Sequence, residues 1–182
     1  MYEDLLEKKL KSENIYDGVL LHVRRDTVTL PNGREAVREW VRHPGASAVL
    51  PVFKDGTVLL VRQYRYPVDR VTLEIPAGKL DSPKEDPLAC AVRELSEETG
   101  YTAKRYEKLT TIGTTVGFSN EYIHIYAAHD LQAGEQHTDD DEFIHVVKMP
   151  LEEAVERVKA GEIFDAKSVT AILMTALGKA KH

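Results

Sequence analysis

Residues 74–101 constrain the fold more than any other part of the chain, because a β-like run there leads through a loop into a short helix. Asp86 can cap the first helical turn, Pro87 suits the first helical position, and Gly100 can take the left-handed conformation that ends a helix. Apolar residues at three- and four-residue steps predict one buried stripe, formed by Leu88, Val92 and Leu95. The sequence therefore predicts a strand-to-loop-to-helix junction.

The acidic residues of this helix fall outside its apolar stripe. Glu94 and Glu98 are one turn apart, and Glu97 lies between them. Carboxylates four residues apart destabilise a helix by about 0.2–0.5 kcal/mol per pair, so stability alone does not favour them. Together with Glu85 just before the helix, they offer hard oxygen ligands that suit Mg²⁺ or Mn²⁺, and Arg93 can hold one of them in place. The alternative is a solvated acidic face.

The spacing of these residues resembles the signature of the Nudix hydrolase family. Glu85 is followed after seven residues by the rest of the pattern, namely Arg93, Glu94, Leu95, Glu97, Glu98, Gly100 and Tyr101. Gly78 stands upstream, where the signature begins. One departure is that six residues (79–84) separate Gly78 from Glu85, where the family has five. The extra residue lies in a loop, where an insertion costs little.

This resemblance implies a fold and a metal centre. The fold would be of the α/β class, an α/β/α sandwich around a mixed sheet with an N-terminal β-strand extension. Strands mixed with helices, without regular βαβ alternation, are consistent with it. The metal centre would hold two or three Mg²⁺ or Mn²⁺ ions on Glu94, Glu97 and Glu98. The backbone carbonyl of Ala77, just before the signature glycine, would be a further ligand.

A second resemblance, to the ADP-ribose pyrophosphatases of that family, covers most of the chain. It is carried by the turn at 31–33, the segment REWVRHPGASAVLP (38–51), VRQYR (61–65) before LEIPAG, and GFSNE (117–121). It implies hydrolysis of ADP-ribose to AMP and ribose 5-phosphate. Val116 stands where this subfamily commonly has a proline. The alternatives are hydrolysis of another nucleoside diphosphate sugar such as GDP-mannose, and a Nudix-like module that binds a nucleotide without cleaving it.

The same resemblance assigns residues to the substrate. Arg38 would lie over the adenine, across a dimer interface, because a planar guanidinium suits stacking on a base. Arg65 would contact the phosphates or the adenine-side ribose, and Glu121 the hydroxyls of the far ribose. For each arginine the alternative is a surface salt bridge.

A general base must also reach the attacking water. Glu142, at the end of an acidic loop and just before a predicted strand, is the first candidate, since the pyrophosphatases place a catalytic glutamate on a loop there. Glu97 on the helix is the second candidate. The alternative for residues 139–142 is a solvated acidic loop with no role.

The chain divides into an N-terminal β extension (1–44) and a Nudix hydrolase domain (45–182). Residues 1–14 are charged and predict a short helical turn or a loose arm. Strands are expected within 16–41, with an Asn-Gly turn at 32–33. The extension would contribute to substrate binding and to a homodimer, or be an edge meander of the same domain. Helices are predicted at 150–159 and 165–177, the second with its inward face formed by Ile172, Leu173, Ala176 and Leu177.

The amino-acid composition excludes several classes of binding partner. The net charge of −6 and the isoelectric point near 5.7 argue against general binding to nucleic acid or to an anionic membrane. The single cysteine, Cys90, cannot form an internal disulfide and is expected to be a small buried residue. No apolar run approaches the roughly 20 residues of a membrane span, and no signal-peptide pattern opens the chain. The expectation is a cytoplasmic enzyme that acts on a small nucleoside diphosphate sugar.

Overall fold

The structure is a computed structural model, which describes residues 2–138 and 143–179. The chain forms two compact units. The first unit comprises Met1–Gly45 and Gly113–Glu121, and the second comprises Ala46–Ile112 and Tyr122–His182. Each unit has its own sheet structure.

The first unit is a three-stranded antiparallel sheet that follows a 3-10 turn at Glu3–Leu5. Its strands, in the spatial order β1-β2-β3, are β1 (Lys8–Asp17), β2 (His22–Thr29) and β3 (Glu35–Arg42). Gly33 has a φ of 83° in the turn between β2 and β3, as the Asn-Gly pair predicted. The separate segment joins this sheet where the Val41 amide donates to the Phe118 carbonyl at 2.8 Å.

The strand β1 corrects the prediction of a helical turn or a loose arm for residues 1–14. Only its first part holds a 3-10 turn, and residues from Lys8 onward pair with β2. Every residue of β1 is exposed except the half-buried Glu13, so buried and exposed residues do not alternate along the strand. Pairing with β2, rather than local pattern, makes this segment extended.

The described residues of the second unit form two sheets, three α-helices and a short 3-10 helix at Tyr66–Val68. Its strands are β4 (Ala46–Pro51), β5 (Thr57–Arg65), β6 (Arg70–Glu74), β7 (Ala77–Lys79), β8 (Tyr101–Gly113), β9 (Tyr122–Ala133) and β10 (His145–Pro150). Its helices are α1 (Pro87–Thr99), α2 (Leu151–Lys159) and α3 (Ala166–Lys179). One sheet has the order β7-β4-β9-β8 and is mixed, because β4 runs parallel to β9 and antiparallel to β7. The other sheet is antiparallel, with the order β10-β5-β6.

The fully buried strand β4 separates two apolar layers. Its alternate residues Ala48 and Leu50 pack in one cluster with Ile172 of α3, whereas Val49 packs in another with Leu95 of α1. Burial on both faces is what a parallel pairing with β9 requires. The predicted α/β class and the sandwich around a mixed sheet are confirmed.

The helix α1 has the predicted ends but a different buried face. The Asp86 side chain accepts from the Leu88 amide at 3.3 Å, and Gly100 ends the helix with a φ of 73°. Leu88 and Val92 are 37% and 39% exposed, so they do not form the predicted stripe with Leu95. The buried residues are Cys90, Ala91, Glu94, Leu95, Glu98 and Thr99. Small side chains at 90 and 91 let this face of α1 approach the sheet closely.

The helices α2 and α3 pack in the apolar cluster that contains Ala48 and Leu50 of β4. Ile172 is fully buried and Ala176 packs against the cluster, as predicted, but Leu177 is exposed and does not face inward. Among the described residues, no helix is long and apolar enough to cross a membrane.

Candidate active site

The buried face of α1 carries two carboxylates. Glu94 and Glu98 are 8% and 3% exposed, one turn apart, beside the fully buried Leu95. Burial of a carboxylate is costly unless other groups compensate its charge. These two residues therefore do not belong to a solvated acidic face, whereas the Glu97 side chain is nearly half exposed.

Gly78 lies directly against the Glu94 carboxylate. A Cβ built on Gly78 would lie 2.0 Å from Glu94 Oε1, a distance that excludes any side chain at this position while Glu94 keeps its place. Gly78 and Ala77 belong to β7, which pairs with the start of β4. The absence of a side chain at Gly78 thus brings the Glu94 carboxylate to the backbone next to Ala77.

Arg93 contacts acidic residues of α1 and of the loop that precedes it. Its Nη1 donates to Glu94 Oε1 at 2.6 Å and to Glu97 Oε2 at 3.1 Å, and its Nη2 lies 3.7 Å from Glu85 Oε1. Burial alone would lower the pKa of Arg93, but the charge of Glu94 and the hydrogen bond to Glu97 raise it above its ordinary value. Glu85 also accepts from the Asp81 amide at 2.6 Å, so the loop with its extra residue still brings Glu85 to Arg93.

The described residues include the oxygen ligands that a divalent ion prefers, but their side chains are not grouped around a common point. Across 2–138 and 143–179, no three His, Cys, Asp or Glu side chains are grouped so that they could hold a metal. Glu94, Glu97 and Glu98 supply carboxylate oxygens, and the Gly78 cradle brings Glu94 to the β7 backbone, whose carbonyls are the same kind of hard ligand. An ion on this face must compete with the Arg93 guanidinium for Glu94 and Glu97.

Arg65 lies at the end of β5 in a network that sequence reasoning missed. Its guanidinium binds Glu74 side-on, with Nε 2.8 Å from Oε1 and Nη2 2.7 Å from Oε2. Lys167 of α3 donates to the same Oε2 at 2.5 Å and to Asp165 at 2.9 Å. Ser168 accepts from the Ile75 amide at 2.8 Å.

The buried Glu74 stays ionised in this network. Burial raises the pKa of a carboxyl group, but here hydrogen bonds and charges from Arg65 and Lys167 outweigh it and lower the pKa of Glu74 to about 2. A charged residue inside the otherwise apolar run LEIP (73–76) was the one hint in the sequence. Lys167 and Ser168 gave none, because they lie 93 residues away from the groups that they contact.

Arg38 and Glu121 belong to the first unit. Arg38 Nε donates to Glu7 Oε2 at 3.0 Å, an exposed ion pair of the kind expected under its alternative reading. Glu121 accepts from the Thr114 hydroxyl at 2.6 Å and lies 3.5 Å from His43 Nε2. Because the Gly45 amide donates to His43 Nδ1 at 3.1 Å, Nε2 carries the proton and faces the carboxylate. His43 was not among the predicted residues.

The two remaining predicted residues are Glu142 and Cys90. Glu142 lies outside the described residues, so the choice between Glu142 and Glu97 as general base stays a prediction. Cys90 is fully buried, as expected, and its burial, with the negative charge of Glu94, raises the pKa of the thiol to about 11. A protonated thiol is a poor nucleophile.

Comparisons with known proteins agree with this architecture. The family model of the NUDIX domain matches residues 41–171, and that of the nucleoside diphosphate sugar hydrolase N-terminal domain matches residues 7–41. The chain is 42% identical over 180 residues to an ADP-ribose pyrophosphatase of Bacillus subtilis (strain 168), with 98% of this chain and 97% of the relative covered.

Another relative and a solved structure are also similar. A methanol dehydrogenase activator of Bacillus methanolicus is 42% identical over 179 residues, which cover 97% of this chain and 96% of that protein. A crystal structure of an ADP compounds hydrolase has a TM-score of 0.85 at 24% identity, with coverage of 97% of this chain and 96% of the other. The latter similarity supports the fold.

Proposed function

The chain belongs to the Nudix hydrolase family, and on that premise we propose that it hydrolyses the pyrophosphate bond of ADP-ribose to AMP and ribose 5-phosphate. The observation that carries this proposal is the burial of Glu94 and Glu98 on one face of α1, with the Glu94 carboxylate against the backbone of Gly78. A protein that only binds a nucleotide has no need for carboxylates clustered on one helix turn, where like charges repel.

We propose Mg²⁺ or Mn²⁺ as the cofactor, with two or three ions held by Glu94, Glu97, Glu98 and the carbonyl of Ala77. When bound, these ions would neutralise the phosphates and acidify a water. Arg93 would keep Glu94 and Glu97 close together when they bind no ion, since it donates to both.

The other residues act on the substrate and on the attacking water. Arg65 would bind the phosphates through its planar donors, Arg38 would stack on the adenine, and Glu121 would accept from the hydroxyls of the far ribose. Glu142 would accept the proton of the attacking water, with Glu97 as the second candidate. We expect Glu142→Gln to lose turnover but retain substrate binding, and an unchanged rate would transfer the role of base to Glu97.

A substrate panel tests the proposal directly. The purified protein is incubated with Mg²⁺ and ADP-ribose, GDP-mannose, ADP-glucose or NADH, and the released nucleoside monophosphate is quantified. AMP from ADP-ribose, released faster than any other product, is the expected result. Faster release of GMP from GDP-mannose would replace ADP-ribose with that nucleotide sugar. Binding without turnover, unaffected by Glu98→Gln, would leave a nucleotide-binding module.

We also propose a cytoplasmic homodimer in which residues 1–44 contribute to the interface and to the substrate site, while 45–182 form the catalytic domain. Exposed apolar side chains of the first unit support the interface, among them Leu5, Leu6, Leu10, Ile15 and Val37. Size-exclusion chromatography with light scattering is expected to give twice the chain mass of 20.5 kDa, and a monomer would contradict the interface.

A further inference from the structure

We propose that Glu74 and Lys167 are positioning residues, which hold the Arg65 guanidinium in one orientation for the diphosphate of the substrate. The inference rests on the proposed function, because that function gives Arg65 its contact with phosphate. It adds two residues, one from β6 and one from α3, to those that determine substrate affinity.

The Glu74 carboxylate is fixed in orientation by four hydrogen bonds. Oε1 accepts from Arg65 Nε at 2.8 Å and from the Thr72 hydroxyl at 2.6 Å. Oε2 accepts from Arg65 Nη2 at 2.7 Å and from Lys167 Nζ at 2.5 Å. A carboxylate has about four lone-pair sites, so these donors saturate it. Glu74 therefore cannot rotate without losing at least one partner.

Burial makes this anchor rigid and leaves Arg65 accessible. The side chains of Glu74 and Lys167 are 4% and 8% exposed, whereas the Arg65 side chain is 41% exposed. The guanidinium thus has one edge on a buried anchor and lies partly in solvent. A planar group held at one edge can present its other donors without the entropy loss that a mobile arginine incurs on binding.

Lys167 contributes orientation rather than net charge. It shares the Glu74 carboxylate with Arg65 and is itself paired with Asp165, so the network contains two cations and two anions. The hydrogen bond from Lys167 holds Oε2 of Glu74, and the same Oε2 accepts from Arg65 Nη2. Lys167 therefore acts on Arg65 by fixing the carboxylate that orients the guanidinium.

The competing explanation for the contacts of Glu74 and Lys167 is purely structural: they would only stabilise the packing of α3 against the end of β6. Ser168 provides that connection without contacting Arg65 or Glu74, because its Oγ accepts from the Ile75 amide at 2.8 Å. It also donates at 2.6 Å to Asp165, which accepts from Lys167 as well. Ser168→Ala removes this connection and leaves the contacts of Arg65 with Glu74 intact. It is therefore the matched control for a purely structural role.

The test combines binding, turnover and a double-mutant cycle. Glu74→Gln, Lys167→Met, Lys167→Arg, Ser168→Ala, Arg65→Ala and the double variant Glu74→Gln/Arg65→Ala are compared. Affinity is measured by calorimetry with α,β-methylene ADP-ribose, whose bridging carbon cannot be hydrolysed, and KM and kcat are measured with ADP-ribose. The melting temperature of each variant is recorded.

We expect Glu74→Gln and Lys167→Met to raise Kd and KM about tenfold with kcat within about threefold of wild type, and Lys167→Arg to restore most of the loss. Ser168→Ala should lower the melting temperature but leave Kd and KM within about twofold. In the Arg65→Ala background, Glu74→Gln should add less than about twofold, because both changes remove the same interaction.

Two outcomes would overturn the inference: an additive effect of Glu74→Gln in the Arg65→Ala background, or an unchanged Kd in a folded Glu74→Gln variant. Failure of the proposed function looks different. A wild-type protein that binds the methylene analogue but releases no AMP from ADP-ribose contradicts the hydrolase proposal. The double-mutant cycle is then evaluated from Kd alone. A wild-type protein that does not bind the analogue overturns both.

Discussion

At the scale of single residues, Gly78 is the position where the smallest change should have the largest effect. A methyl group there would lie 2.0 Å from Glu94 Oε1, so Gly78→Ala must displace the carboxylate or the β7 backbone. We expect kcat/KM for ADP-ribose to fall at least about tenfold, since misplaced catalytic groups cost rate steeply. Steady-state kinetics and the Mg²⁺ concentration for half-maximal activity measure the effect.

Gly178→Ala is the matched control, because a Cβ there would meet nothing within 4 Å. It should leave kcat/KM unchanged. Normal kinetics of Gly78→Ala, with an unaltered Mg²⁺ requirement, would show that the position of Glu94 is not critical.

Glu98→Gln tests the buried carboxylates themselves. The substitution keeps the size of the side chain and removes its charge, so we expect turnover to fall by roughly 100-fold while the fold is retained. Activity assays and circular dichroism give the two readouts, and the exposed Glu152→Gln serves as control. Near-normal activity of Glu98→Gln would rule out a role in metal binding.

Local chemistry accounts for what could be predicted at this scale. The cap at Asp86, the helix end at Gly100 and the acidic positions of α1 all follow from residues close together in the sequence. The anchor of Arg65 could not be predicted in this way. Glu74 and Lys167 are 93 residues apart, and only the packing of α3 brings them together.

At the scale of elements, α1 shows why an apolar pattern does not fix the orientation of a helix. Counting large apolar residues placed Leu88 and Val92 on the buried face, but that face is built from small residues and carboxylates around Leu95. Close approach to the mixed sheet favours Cys90 and Ala91 there. Similarly, the exposed strand β1 had no alternation to reveal it.

The orientation of α1 gives a prediction for stability. Leu95→Ala should lower the free energy of unfolding by about 2–5 kcal/mol, because it leaves a cavity between the helix and the sheet. Val92→Ala, at a position that is 39% exposed, should cost less than about 1 kcal/mol. Urea denaturation measures both, and equal losses would mean that the helix has the orientation predicted from the sequence.

At the scale of the whole molecule, the network around Glu74 makes stability depend on pH. The folded-state pKa of about 2 lies below the ordinary value of 4.5, so the contribution is fully present above pH 4.5 and is lost as the pH falls towards 2. The shift corresponds to about 3 kcal/mol as an order of magnitude.

We therefore expect the free energy of unfolding of wild type to decline more steeply from pH 5 to pH 3 than that of Glu74→Gln. Urea titrations at several pH values measure the two slopes, with Glu152→Gln as a charge-matched control that keeps the wild-type slope. Parallel slopes for wild type and Glu74→Gln would mean that Glu74 does not titrate as described.

The sandwich itself could be predicted from the sequence, because residues 74–101 carry a pattern that few folds share. The sequence did not indicate which segments of the chain make up the first unit. Gly113–Glu121 joins Met1–Gly45 through pairing near Val41 and Phe118, a contact between segments that are far apart in the chain. Long-range pairing of this kind leaves no local periodicity in either segment.

The order of the network residues along the sequence has a consequence for biosynthesis. Lys167 and Ser168 leave the ribosome about a hundred residues after β5, which carries Arg65. A nascent chain that has not yet reached α3, or one cut by a protease before it, would hold Glu74 without its lysine and Ile75 without its hydroxyl. Its affinity for substrate would then be lower than that of a chain that includes α3.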